Sequence, residues 1–178
     1  MAGVRRSDLP HNALLRRYLV SGAYTDCYVT RIAQGVSLAA YVDAFYTTPL
    51  FRLERLILKW LVARPSTDEQ ARLLGTGSLA TFAAWTVESR DADQLLLCDL
   101  HGRTRSWLMV VPITNGEGSG TLLHFGSAVT PLPDREGRMK RGKTYDALLG
   151  FHKLYSRLLL AAARSRLVRI HAIGQARK

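Results

Sequence analysis

The sequence predicts an α+β fold in which a curved antiparallel sheet grips a long C-terminal helix, with a helix pair after the first strand. Three observations carry that expectation. One strand-like segment precedes two helical segments. From residue 78 onward the apolar residues recur with a period near two, the signature of strands. The chain then closes on a long segment of helical periodicity.

Residues 1–23 read as an N-terminal extension, in which LRRYL makes a short helix ended by Gly22. The first strand is expected from Asp26 to Ala33 (DCYVTRIA), with Gly35 as its stop. Ser37 is placed to cap a helix over SLAAYVDAFYTT, where Leu38, Tyr41, Val42 and Phe45 recur at helical spacing. Pro49 interrupts it, because the residue before a proline is pushed out of the α region. A second helix follows from Leu50 to Val62. Phe51, Leu53, Leu56, Ile57, Trp60 and Leu61 give it a broad apolar face, and Pro65 ends it. A third, short helix starts at Thr67, with Asp68 and Glu69 in its first turn and Gly75 past its end.

Four strands are expected next: SLATFAAWTVES, QLLLCDL, RTRSWLMVVPI and GTLLHFGSAVTPL. His101-Gly102-Arg103 forms a tight turn, NGEGSG another, and Gly126 marks a bulge or bend. The polar, basic loop 131–143 leads to Thr144, placed to cap the last helix. One domain spans residues 24–170, followed by a basic tail over 171–178, since 178 residues suit a single domain.

Composition excludes several classes. Apolar residues make up 47% and charged residues 22%, the balance of an ordinary globular chain. The longest apolar run, LLLAAA, falls far short of the ~20 residues that cross a bilayer, so no transmembrane segment is expected. The N-terminus MAGVRRSDLP has no apolar core of a signal peptide, which predicts a cytoplasmic protein with Cys27 and Cys98 as free buried thiols. The five histidines stand apart, with no metal-ligand spacing. GTGSLAT lacks the GK[ST] ending of a phosphate-binding loop, and no GxSxG elbow occurs. Neither a cofactor nor a metal is implied.

The net charge of +11 comes from 25 basic and 14 acidic residues. The arginines are spread along the chain, which favours a general basic surface over a nucleic-acid site. The rival expectation is a surface module. In it Arg135, Arg138, Lys140, Arg141, Lys143 and the C-terminal arginines contact nucleic acid or an anionic membrane. A homodimer through Phe51, Trp60 and Leu61 is a further expectation.

The candidate site is a pocket between sheet and final helix. Trp85, Leu97, Trp107, Met109 and Phe125 are read at matching strand parity toward it. His152 and Tyr155, three apart on the last helix, face the same way. Apolar walls with a few convergent polar groups suit a small molecule, although the same residues would also make a solid core. His152 could bond a ligand carbonyl or move a proton near neutral pH, but the pattern favours a core histidine satisfied by one buried partner. Asp99 and His101 share a parity at one strand end and could form an acid/base pair, or simply face solvent beside the turn. If Phe125 points inward, His124 points outward and does not join His101 on a metal.

The order of elements, with YVDAFYTTPLFRLER, the W-then-LLL strand pair and the terminal YDALLGFHKLYSRLLL, resembles the helix-grip proteins of the START-like and polyketide cyclase-like superfamily. The resemblance runs from about residue 24 to residue 168, and it is closer to uncharacterised bacterial proteins of a domain-of-unknown-function group within it. It implies an apolar ligand (a lipid, sterol, polyketide or plant hormone) held between sheet and helix. A few members are cyclases, aromatases or hydroxylase partners. The superfamily has no universal catalytic motif, so no catalytic residue carries over. The expectation is a binder rather than an enzyme, with cofactor-free cyclase chemistry as the enzymatic alternative.

Overall fold

Local signals set most of the helix boundaries. The computed structural model describes residues 3–62, 65–115, 118–130 and 143–176, with side chains described except at 57–59, 61–62, 114–115, 118–119 and 143–152. A short α1 (Arg16–Val20) ends in Gly22, whose φ of +80° suits a residue without Cβ. The Ser37 side chain accepts from the Ala40 N–H at 3.2 Å and opens α2 (Leu38–Tyr46). Pro49 is the first residue of α3 (Pro49–Val62), where its missing N–H costs nothing. Thr67 and Gln70 form a reciprocal capping box on α4 (Asp68–Thr76).

Two expected helix ends are corrected. Gly75 lies inside α4, and Gly77, at φ +84°, ends it. Gly75 is needed for another reason: a Cβ there would lie 2.7 Å from the Ala39 carbonyl oxygen of α2. The last helix, α5 (Lys143–Ala176), is already helical at Lys143, so Thr144 sits in its first turn rather than capping it.

The strands form one antiparallel sheet of seven, in the order β1-β2-β7-β6-β5-β4-β3. They are β1 (Arg5–Arg6), β2 (Tyr24–Ile32), β3 (Thr81–Phe82), β4 (Trp85–Arg90), β5 (Gln94–Asp99), β6 (Thr104–Asn115) and β7 (Gly118–Val129). The last five follow one another as a meander, and β2 then pairs with β7, bringing the first long strand beside the last. The segment SLATFAAWTVES is two strands, not one: Phe82 pairs with Trp85 across a two-residue turn in which Ala83 has φ +51°. A register shift between Val87 and Ser89 bends β4 further on.

Each face of the sheet is covered. On one, Tyr28, Leu95, Leu97, Leu108 and Phe125 pack with buried side chains of α2 and with Leu159, Leu160, Ala163 and Leu167 of α5. Leu154 and Leu158 of α5 are left about half exposed. On the other face, Leu96, Trp107 and Met109 pack with Ala13 and Leu15 from the N-terminal segment. Gln94 fastens that segment. Its Oε1 accepts the Leu14 N–H and the Trp107 Nε1–H, and its Nε2 donates to the Asn12 carbonyl. Cys27 is buried and Cys98 only half buried; both are free thiols.

Candidate functional site

A cavity of about 630 Å³ lies between the sheet and α5, closed on a third side by α3. β5, β6 and β7 line the cavity from the sheet, and α5 covers it with Tyr155, Ser156 and Leu159. The inner wall is aromatic. Phe45 and Phe125 have ring centroids 4.8 Å apart, and Phe51 sits edge-on to Tyr46 at 4.7 Å. The hairpin turn between β5 and β6 supplies Leu100 and His101 at the mouth.

The sequence-predicted residues divide. Trp85, Phe125 and Tyr155 line the cavity as expected. Leu97 shares their face but is fully buried in the core and lines nothing. Trp107 and Met109 belong to the opposite face, under the N-terminal segment. The register explains the correction: Leu96, not Leu97, sits across from Trp107, and Leu97 opposes Ser106. One residue of slip reverses every side chain. The side chain of His152 lies outside the described residues.

Asp99 and His101 both reach the cavity wall. Asp99 Oδ1 accepts the Arg103 N–H at 2.7 Å, so this carboxylate holds the hairpin turn. His124 is on the side away from Phe125, as expected, yet it is buried there rather than solvated. Burial, with the charge of Arg5 nearby, pulls its imidazole down to about 4. Among the described residues, no group of three or more histidines, cysteines, aspartates or glutamates is placed to hold a metal ion. No helix among them is long and apolar enough to cross a membrane.

The residue sequence reasoning missed is Glu54. It projects from α3 into the cavity and accepts a hydrogen bond from the Tyr155 hydroxyl of α5. Burial raises its carboxyl above the usual range, and the Tyr155 hydrogen bond offsets part of that rise. Burial, then the neighbouring Glu54 charge, raises the Tyr155 phenol well above its ordinary value. An acidic group in a mostly apolar cavity is costly unless bonded, and this pair is the polar feature on which a ligand could be oriented. Deeper in, the Tyr46 hydroxyl and Ser106 Oγ are 3.1 Å apart and satisfy each other.

No protein-family model matches this chain, and no curated protein matches its sequence. Function therefore has to be argued from the cavity itself. Its volume falls within the range of about 300–1,000 Å³ usual for small-molecule sites. A second cavity, of about 490 Å³, lies under the N-terminal segment and is lined by polar and charged groups such as Arg6, Asp8 and Asp26. Asp26 there is engaged, its Oδ1 accepting the Ser127 N–H at 3.1 Å and the Ser127 hydroxyl at 2.5 Å.

Proposed function

We propose that this chain binds an apolar or aromatic small molecule, lipid-like or polyketide-like, in the cavity between the sheet and α5. The observation that carries the reading is a mostly apolar void of about 630 Å³ with one hydrogen-bonded acid–phenol pair in its wall. Burial of the ligand's apolar surface supplies affinity, at roughly 25 cal/mol per Å² removed from water. Glu54 and Tyr155 orient its polar end. The fold is read as a helix grip. The meander β3–β7, the pairing of β2 with β7 and the passage of α5 across one face all support that reading.

The reading is of a binding protein. Asp99 serves the hairpin turn and the half-buried Glu54 is already paired, so the wall offers orientation more readily than a free acid/base. Native mass spectrometry of the purified chain tests it. The expected result is a co-purified, organic-extractable compound whose mass is lost on extraction and restored on reloading. A chain that carries nothing and takes up no apolar compound would reject the proposal. Ligand affinity is also expected to change little between 50 and 500 mM salt, roughly, whereas phosphate contacts would weaken steeply.

A further inference from the structure

The mouth of the cavity has the wrong surface for a protein that meets only water. Leu53 of α3 is 54% exposed, Leu100 of the hairpin 44%, and Leu154 and Leu158 of α5 57% and 49%. All four line the same cavity. Leu56 and Trp60, at 51% and 78% exposure, continue the stripe along α3 at helical spacing. Single exposed leucines are ordinary; a collar of them drawn from three separate elements around one opening is a contiguous apolar patch.

Cations adjoin the collar residues along the chain. Arg103 follows Leu100 on the hairpin and is exposed; Arg157 precedes Leu158 and is exposed; Lys153 precedes Leu154 and lies over the Tyr24 ring. Arg52 neighbours Leu53 and is paired with Asp68. Among the described residues, the acids that line the cavity are occupied: Asp99 holds the hairpin turn and Glu54 is bonded to Tyr155. The chain as a whole carries +11. Two copies meeting through this face would bring like charges together, whereas an anionic bilayer accepts both the leucines and the cations.

We infer that the cavity mouth is a docking surface for an anionic lipid membrane, with Leu53, Leu100, Leu154 and Leu158 entering the interface and Arg103, Lys153 and Arg157 meeting lipid phosphates. The collar borders the cavity, but vesicle binding is read without any cavity ligand, so this inference and the ligand proposal fail independently.

Co-sedimentation with vesicles of phosphatidylcholine plus phosphatidylglycerol, against vesicles of phosphatidylcholine alone, tests it. The full chain is expected to bind the anionic vesicles, and binding is expected to weaken with salt. The triple variant Leu53→Ser, Leu154→Ser, Leu158→Ser is expected to lose partitioning by about tenfold or more. The double variant Arg103→Glu, Arg157→Glu is expected to lose it comparably. These positions are exposed, and circular dichroism is expected to show the fold intact. Leu19→Ser with Val20→Ser removes exposed apolar groups from α1, beside the N-terminal segment, and should leave binding unchanged. Absence of vesicle binding overturns the inference, as does full binding by the triple variant. So does a dimer in sedimentation velocity that the triple variant converts to monomer, since the collar is then an interface between copies.

Discussion

Replacing Tyr155 with Phe removes one hydroxyl from the cavity wall and leaves the Glu54 carboxylate without that donor. While Glu54 is ionised, a hydrogen bond to its charged carboxylate contributes about 1.5–3 kcal/mol. The loss is expected to lower the melting temperature by roughly 4–10 °C for a chain of this size. The cost should depend on pH in a definite direction. Burial raises the Glu54 carboxyl above 4.5 and the Tyr155 hydrogen bond pulls it back, so the variant's carboxyl rises further. As pH falls, Glu54 takes up a proton and the lost bond becomes one between neutral groups, at about 0.5–1.5 kcal/mol. The variant should therefore recover about 1 kcal/mol relative to the parent between pH 8 and pH 4. Urea unfolding followed by circular dichroism at both pH values measures it. Glu54→Gln keeps the acceptor but not the charge, and combining it with Tyr155→Phe should remove the pH dependence. An equal cost at both pH values, or a cost below about 0.5 kcal/mol at pH 8, would refute the reasoning.

Two further outcomes follow from the opposite face. The folded-state value of about 4 for His124 lies below its unfolded value near 6.5, so the unfolded chain alone gains a proton as pH falls between them. Stability should drop by about 3 kcal/mol across that window and His124→Leu should flatten the curve; a variant with the parent's acid slope contradicts this. Gln94→Leu strands the Leu14 N–H, the Asn12 carbonyl and the Trp107 indole N–H, and should cost about 2–5 kcal/mol in urea unfolding, with residues 9–18 opening to limited proteolysis.

How legible the fold was depended on whether a signal was local. Ser37, Pro49, Thr67 and Gly22 act through their own backbone neighbours, and each sits where the sequence placed it. The turn inside SLATFAAWTVES was hidden because alanines make it, with Ala83 at positive φ and no Gly, Asn or Pro to mark it. The facing of β6 was hidden for a different reason. WLMVV is apolar at every position because the N-terminal segment covers one face and the helices the other, and a strand buried on both sides has no period-two pattern. That segment, set apart as an extension in the sequence, supplies β1 and much of the second core cluster.

The site was partly legible. Trp85, Phe125 and Tyr155 reach the cavity because a strand or helix fixes their direction. Glu54 was invisible: between Arg52 and Arg55 it reads as part of a solvated charged face, and only the approach of α5 turns it into a half-buried, hydrogen-bonded group. Phe51, Leu53, Leu56 and Trp60 read in the sequence as one broad apolar face, with Phe51, Trp60 and Leu61 as an exposed patch for a second copy; in the structure Leu53, Leu56 and Trp60 are exposed, whereas Phe51 is buried. The side chain of Leu61 lies outside the described residues.

The central claim is that an apolar guest can enter the space under α5. Xenon, which occupies apolar cavities, tests it through methyl spectra of leucine-labelled protein under gas pressure. Shifts at the leucines that line the cavity, Leu50 and Leu159 of its inner wall above all, with Leu15 and Leu96 of the other core unmoved, are the predicted result. Unperturbed Leu50 and Leu159 methyls at saturating pressure would contradict it.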